Sequence, residues 1–117
     1  MKRGDIWTVA GAAGYAGKPR PAVIVQDDRF DQIDSVVICP LTSDPSGLPL
    51  FRLVVEPNER NGLRSRSAMM VDKISAVRKK RLGRSTGQLD DEDILRLNQA
   101  LMVFLGLAES PRARRDR

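Results

Sequence analysis

Histidine is absent from this 117-residue chain. That omission removes the side chain whose charge changes most readily near neutral pH. It excludes Ser-His-Asp and Cys-His nucleophilic sites, and it excludes the paired-imidazole route to phosphodiester cleavage. Cysteine occurs once, at Cys39, so neither an internal disulfide nor a multi-cysteine metal site can form. Cys39 lies in the apolar run Val36-Val37-Ile38-Cys39, where a thiol is expected to pack as a small buried hydrophobe. Aromatics are scarce, with one Trp, one Tyr and three Phe. Long hydrophobic runs are also missing. Nothing approaches the roughly 18 apolar residues of a membrane span. Met1-Lys2-Arg3-Gly4-Asp5 leads into no signal-peptide core. These absences point to a soluble, cytoplasmic protein with no membrane partner.

Positive charge is abundant. Lysine and arginine number 20 against 15 acids, a formal net charge of +5. The distribution says more than the total. Between Arg60 and Arg84 stand nine basic residues and one acid, Asp72, whereas acids collect at Asp90-Asp91-Glu92-Asp93. A basic segment of that density points to an anionic polymer, because each neutralised phosphate releases condensed counterions.

The length implies one domain, placed at residues 1–109, with 110–117 as a disordered basic tail. Gly4 to Val9 alternates as a strand, Ile6 and Thr8 on one face and Trp7 and Val9 on the other. Ala10 to Lys18, rich in glycine and alanine, is expected to be a loop. Arg20 to Gln26 and Asp34 to Leu41 are continuous apolar runs beside prolines, the pattern of strands covered on both faces. Phe51 to Glu56 alternates again, Pro57 to Leu63 is a turn region, and Ala68 to Val77 is expected to be one further strand. Four to six short strands predict a small β-barrel. The last element is an α-helix, with Asp90 as N-cap and Asp93 imitating a capping box. Its apolar stripe is Ile94, Leu97, Leu101, Phe104 and Leu105, and Gly106 is the left-handed stop.

Several of these pieces together resemble the MazF/PemK family of toxin endoribonucleases. The resemblance rests on Lys2-Arg3-Gly4-Asp5-Ile6-Trp7, Lys18-Pro19-Arg20-Pro21-Ala22-Val23-Ile24-Val25-Gln26 and Pro40-Leu41-Thr42-Ser43. Further along come Val71-Asp72-Lys73-Ile74-Ser75, Arg81-Leu82-Gly83 and Gly87-Gln88-Leu89. It runs from Met1 to about Leu107. It implies a mainly β fold with a C-terminal helix, a small Src-homology-3-like barrel, and a homodimer. It also implies cleavage of single-stranded RNA at short sequences, without a metal or other cofactor, and restraint by a cognate MazE-like antitoxin. Such an antitoxin would cover the basic groove with an acidic, disordered tail. The resemblance places the catalytic arginine at Arg20, the phosphate-side hydroxyl at Thr42 and an acid of some members at Asp72. The chain departs from its relatives in three ways. Met70 stands where some carry arginine, Lys73 stands where many carry glutamine, and the first loop lacks the histidine that some use.

The residue types fit that chemistry in part. A guanidinium matches phosphate oxygens bidentately, and a hydroxyl beside it can donate to the same phosphate. Arginine is effectively never deprotonated, so the proton from an attacking 2′-OH goes to Asp72 or to water. Binding of unstacked bases and flanking phosphates is assigned to Tyr15, Lys18, Ser43 and Lys73. Trp7 belongs more naturally to the core. Two other functions remain open on sequence alone: a CcdB-like gyrase poison, and a non-catalytic RNA-binding barrel.

Overall fold

A computed structural model of the chain describes residues 1–11, 18–46 and 51–108. Within them lie seven strands, β1 (Asp5–Val9), β2 (Arg20–Ile24), β3 (Ser35–Thr42), β4 (Arg52–Val55), β5 (Ser67–Met70), β6 (Ser75–Arg78) and β7 (Leu82–Gln88), followed by helix α1 (Asp91–Phe104). Tyr15 and the tail at 110–117 lie outside the described residues.

The strands pair antiparallel in the order β4-β5-β3-β2-β1-β7. Strand β3 organises the sheet. Its first half, Ser35 to Ile38, pairs with β6, and its last two residues, Leu41 and Thr42, pair with β5. On its other side Ala22, Val23 and Ile24 of β2 face Pro40, Cys39 and Ile38. One long strand shared between two partners bends the sheet into the expected small, strongly coiled β architecture.

Alternation along the strands builds two cores. Ile6, Val23, Cys39, Leu41, Val55, Met69 and Val71 point to one face and close over Leu89, Leu97 and Ala100. Val9, Ala22, Ile24, Val36 and Ile38 form a second cluster, with Trp7, Val77 and Leu82 packed against it. Strand β2 contributes to both clusters, which is why its sequence is apolar without interruption. Trp7 is half-buried in the second cluster, on the face opposite Ile6, as its alternation predicts.

Helix α1 lies across β4 through Arg96, whose Nη1 donates to Val54 O at 2.8 Å and to Asp93 Oδ1 at 2.8 Å. Asp93 thus engages Arg96 instead of closing a capping box. Asp90 takes the N-cap position, but its side chain accepts from Asn58 Nδ2 at 2.9 Å, tying the helix start to the β4–β5 loop. The helix ends in a Schellman motif. Gly106 adopts φ 77°, its N–H donates to Val103 O, and Leu107 N–H donates to Met102 O. The apolar stripe is core only in its first part. Leu97 and Ala100 are buried, whereas Phe104 and Leu105 remain exposed, Phe104 meeting Phe51 edge-on at 5.5 Å.

Two features depart from expectation. The single strand predicted over Ala68 to Val77 is β5 and β6, separated by a 3-10 turn at Val71–Lys73 that buries Val71 and turns Asp72 and Lys73 outward. Strand β7 was read from no apolar pattern. Its sequence LGRSTGQ is mostly exposed, and it is held by pairing with β1.

Leu97 is 1 % exposed at the centre of the main core. Leu97→Ala is expected to lower unfolding free energy by about 2–5 kcal/mol, read from the urea midpoint at fixed protein concentration. A change below about 0.5 kcal/mol would show that α1 is not docked through this residue.

Candidate active site

The β2–β3 register sets the site. Its last paired residues are Ala22 and Pro40, and extending that register by two residues on each strand puts Arg20 at the level of Thr42. Across the other edge Arg20 pairs with Val9 of β1. Arg20 is exposed at the open end of β2, while Thr42 is half-buried at the end of β3. Both line one groove of about 380 Å³.

The floor of this groove is the second apolar cluster, through Val9, Ala22 and Ile38. Its polar lining is cationic and hydroxylic: Arg20, Lys73, Arg81, Thr42 and Ser75. None of the described residues lining it is a carboxylate. A low-dielectric floor under fixed positive charge strengthens attraction for an anion.

Two side chains are set by local bonds. Thr42 Oγ1 accepts the N–H of Asp44 at 3.2 Å, a bond that uses the oxygen as acceptor and not its proton. Arg81 Nη2 donates to Ala10 O at 2.7 Å, and Ala10 N–H donates to Arg81 O at 2.8 Å. This pair fixes the point where the chain leaves β1 toward the loop preceding Arg20.

The sequence-assigned residues do not all meet. Arg20, Thr42 and Lys73 share the first groove. Ser43, one residue on and therefore on the opposite side of the strand end, lines a second groove that Arg20 also borders. Lys18 is exposed just before β2 and lines neither. Tyr15 lies outside the described residues. Asp72 lines neither groove and is gripped by Arg52, Nε to Oδ1 at 2.9 Å and Nη2 to Oδ2 at 3.2 Å. The Arg52 hydrogen bond holds the Asp72 carboxyl below its ordinary value of 3.8. A carboxylate so engaged is a weakened base. Arg52 is twenty residues away in sequence, and no local spacing signals the pair. Cys39 is fully buried, and burial pushes its thiol up to about 12, which removes it as a nucleophile at neutral pH. Arg81 is legible in the sequence as one charge of the basic segment and as part of the Arg81-Leu82-Gly83 motif, but its place in the groove comes from tertiary structure.

The fold and the site define a class: a small antiparallel β-barrel with a C-terminal helix and a cationic groove with no carboxylate among its described lining residues. Residues 2–105 match the family of PemK-like, MazF-like toxins of type II toxin–antitoxin systems, and the chain belongs to that family. It is 44% identical over 108 residues to the probable endoribonuclease MazF of Mycolicibacterium smegmatis, covering 92% of this chain and 99% of that protein. It is 26% identical over 116 residues to endoribonuclease MazF9 of Mycobacterium tuberculosis, covering 92% of this chain and 98% of that one. Among solved structures it superposes with TM-score 0.75 on a mycobacterial endoribonuclease in complex with its cognate antitoxin, at 24% identity, covering 94% of this chain and 99% of the other. It superposes equally well on the MazF of Deinococcus radiodurans in a MazE–MazF complex, with TM-score 0.75 at 18% identity, covering 91% and 96%. Both structural likenesses speak to the fold.

Because the native Asp72 pKa is lowered, the Arg52–Asp72 pair adds stability above the unfolded-state carboxylate range, and that stability is lost as pH falls through the native value. Asp72→Asn is therefore expected to be less stable than wild type at pH 7 and equal to it in strong acid. A difference independent of pH would show that the carboxylate charge does not act in the fold.

Proposed function

We infer that this chain is the toxin of a toxin–antitoxin pair, an endoribonuclease that cuts single-stranded messenger RNA selectively and without a metal. The observation that carries the reading is that Arg20 and Thr42 line one groove whose polar lining is cationic and hydroxylic, in a chain of a family whose relatives are named endoribonucleases. The gyrase-poison reading has no such observation behind it.

The 2′-OH of the nucleotide before the cut attacks phosphorus. The P–O5′ bond breaks, leaving a 2′,3′-cyclic phosphate and a 5′-OH. Arg20 lays its guanidinium fork on the equatorial oxygens, where negative charge builds. Thr42 donates its hydroxyl proton to the same phosphate, and Lys73 supplies an ammonium from the adjoining wall. Water takes the 2′-OH proton, because Asp72 is occupied by Arg52, and water returns a proton to the departing 5′ oxygen. Fixed charge then carries most of the acceleration that imidazole pairs supply in other ribonucleases.

The remaining features of this reading follow from surfaces. The described residues contain no helix long and apolar enough to cross a membrane, and the toxin acts in the cytoplasm on translating RNA. An antitoxin with an acidic segment competes for the cationic groove. Leu95, Met102, Leu105 and Leu107 leave the α1 end apolar and exposed, which favours a homodimer.

Incubation with single-stranded RNA in EDTA tests the core of the reading. Wild type is expected to cleave, and Arg20→Ala to lose about 10²–10³ in kcat with its fold intact. Arg20→Lys should recover little, since a point charge does not replace a fork. Asp72→Asn should keep most activity; a loss as large as that of Arg20→Ala would make Asp72 the base. RNA left intact by wild type would end the nuclease reading. In solution at micromolar concentration, the mass is expected to be that of two chains, and a monomer would count against the pairing surface.

A further inference from the structure

Arg20 stands between two grooves, and the mechanism uses only one. The second, of about 320 Å³, is bordered by Arg20, Arg64, Arg84, Thr8, Ser43 and Ser65 among others, and no described residue lining it is acidic. Its cations come from elements far apart in sequence. Arg64 lies on the β4–β5 loop and Arg84 on β7.

The β4–β5 loop is exposed, yet it is built around a buried side chain. Asn61 is 0 % exposed. Its Oδ1 accepts the N–H groups of Asn58 and Leu63, each at 3.0 Å, and its Nδ2 donates to Glu56 O at 2.9 Å. Two glycines seat this loop on β7. A Cβ at Gly62, which adopts φ +65°, would fall 2.1 Å from Thr86 O, and one at Gly87 would fall 2.4 Å from the Asn61 carbonyl. This close approach brings Arg64 to the same groove as Arg84. Arg84 sits beside register shifts in the β1–β7 ladder, where its N–H donates to Thr8 Oγ1 at 3.1 Å. Such irregularities re-aim a side chain.

Charge pairing separates the arginines of this loop. Arg60 lies 3.7 Å from Asp91, and Arg66 lies 2.9 Å from Glu56. Neither Arg60 nor Arg66 lines the groove. Arg64 and Arg84 line it, and neither forms an ion pair with a carboxylate among the described residues. Exposed guanidinium groups on a rigid seat, kept from local acids, bind an anion without first ordering a loop.

We propose that this second groove binds the single-stranded RNA that flanks the cleaved bond, with Arg64 and Arg84 on its phosphates. The inference rests on the endoribonuclease reading. A phosphodiester held at Arg20 belongs to a polymer that must continue past that residue, and both grooves opening from Arg20 are free of described carboxylates. A single small anion would need neither groove in full.

The test compares wild type with the double variant Arg64→Gln, Arg84→Gln on two RNAs sharing one cleavage sequence, a short one just spanning it and one extended on both sides. For the extended RNA, the variant's KM is expected to rise about tenfold or more with kcat unchanged. The salt dependence of log(1/KM) should flatten by about 0.7 per lost phosphate contact. The short RNA should be cut at nearly the wild-type rate, which also shows that the variant folds. Arg60→Gln, on the same loop but paired with Asp91, should behave as wild type on both. Unaltered KM and salt slope on the extended RNA would overturn the proposal. So would equal losses on both lengths, or unaltered RNA kinetics accompanied by weaker inhibition by an acidic peptide. These results are distinct from failure of the parent reading, in which wild type cuts neither RNA.

Discussion

The register between β2 and β3 is the constraint on which the site depends. A slip of one residue would turn every side chain of β2 to the opposite face. Ala22 and Ile24 belong to one apolar cluster and Val23 to the other, so a slip would exchange the contents of two packed cores. That penalty locks Pro40 against Ala22, and with it the approach of Arg20 to Thr42. The geometry of the polar pair is inherited from burial one and two residues further along each strand.

Chemistry without histidine then becomes a question of where charge is fixed. In the proposed mechanism the arginine and threonine act electrostatically and move no proton. Such a site works best when nothing acidic competes for the arginine. Several of the described acids are paired away from the first groove. Asp72, the one acid in the basic segment, is held by Arg52, and Glu56 is held by Arg66. The acids Asp90 to Asp93 serve the start of α1, Asp90 bonded to Asn58 and Asp93 to Arg96. The formal excess of positive charge is modest, but its placement leaves both grooves cationic.

Much of this was legible in the sequence, and the exceptions have physical causes. The uninterrupted apolar runs of β2 and β3 announced strands buried on two faces, and the acids and stripe of α1 announced a docked helix. Strand β7 was illegible because it is held mainly by ladder hydrogen bonds, with Leu82 its one core contact, so LGRSTGQ carries no apolar period. The break after Met70 was hidden because Val71 and Ile74 keep an apolar rhythm through a 3-10 turn. That Arg20 and Thr42 share a groove was foreshadowed only by the family resemblance, since no local spacing connects two strands. The grip of Arg52 on Asp72 was illegible altogether, and so a carboxylate that looked available as a base lies outside both grooves.

The basic segment shows most plainly why charge counts do not locate a site. Arg60, Arg64 and Arg66 are nearly adjacent in sequence and chemically identical. Their difference lies in a buried asparagine and two seated glycines, none of which carries charge. Asn61 fixes the loop and Gly62 and Gly87 let it press against β7; in that arrangement Arg60 and Arg66 lie beside acids while Arg64 lines the groove. Uncharged residues thus decide which cations neutralise the protein's own acids and which remain for an incoming polyanion. The electrostatics of the surface is in this sense a consequence of backbone packing beneath it.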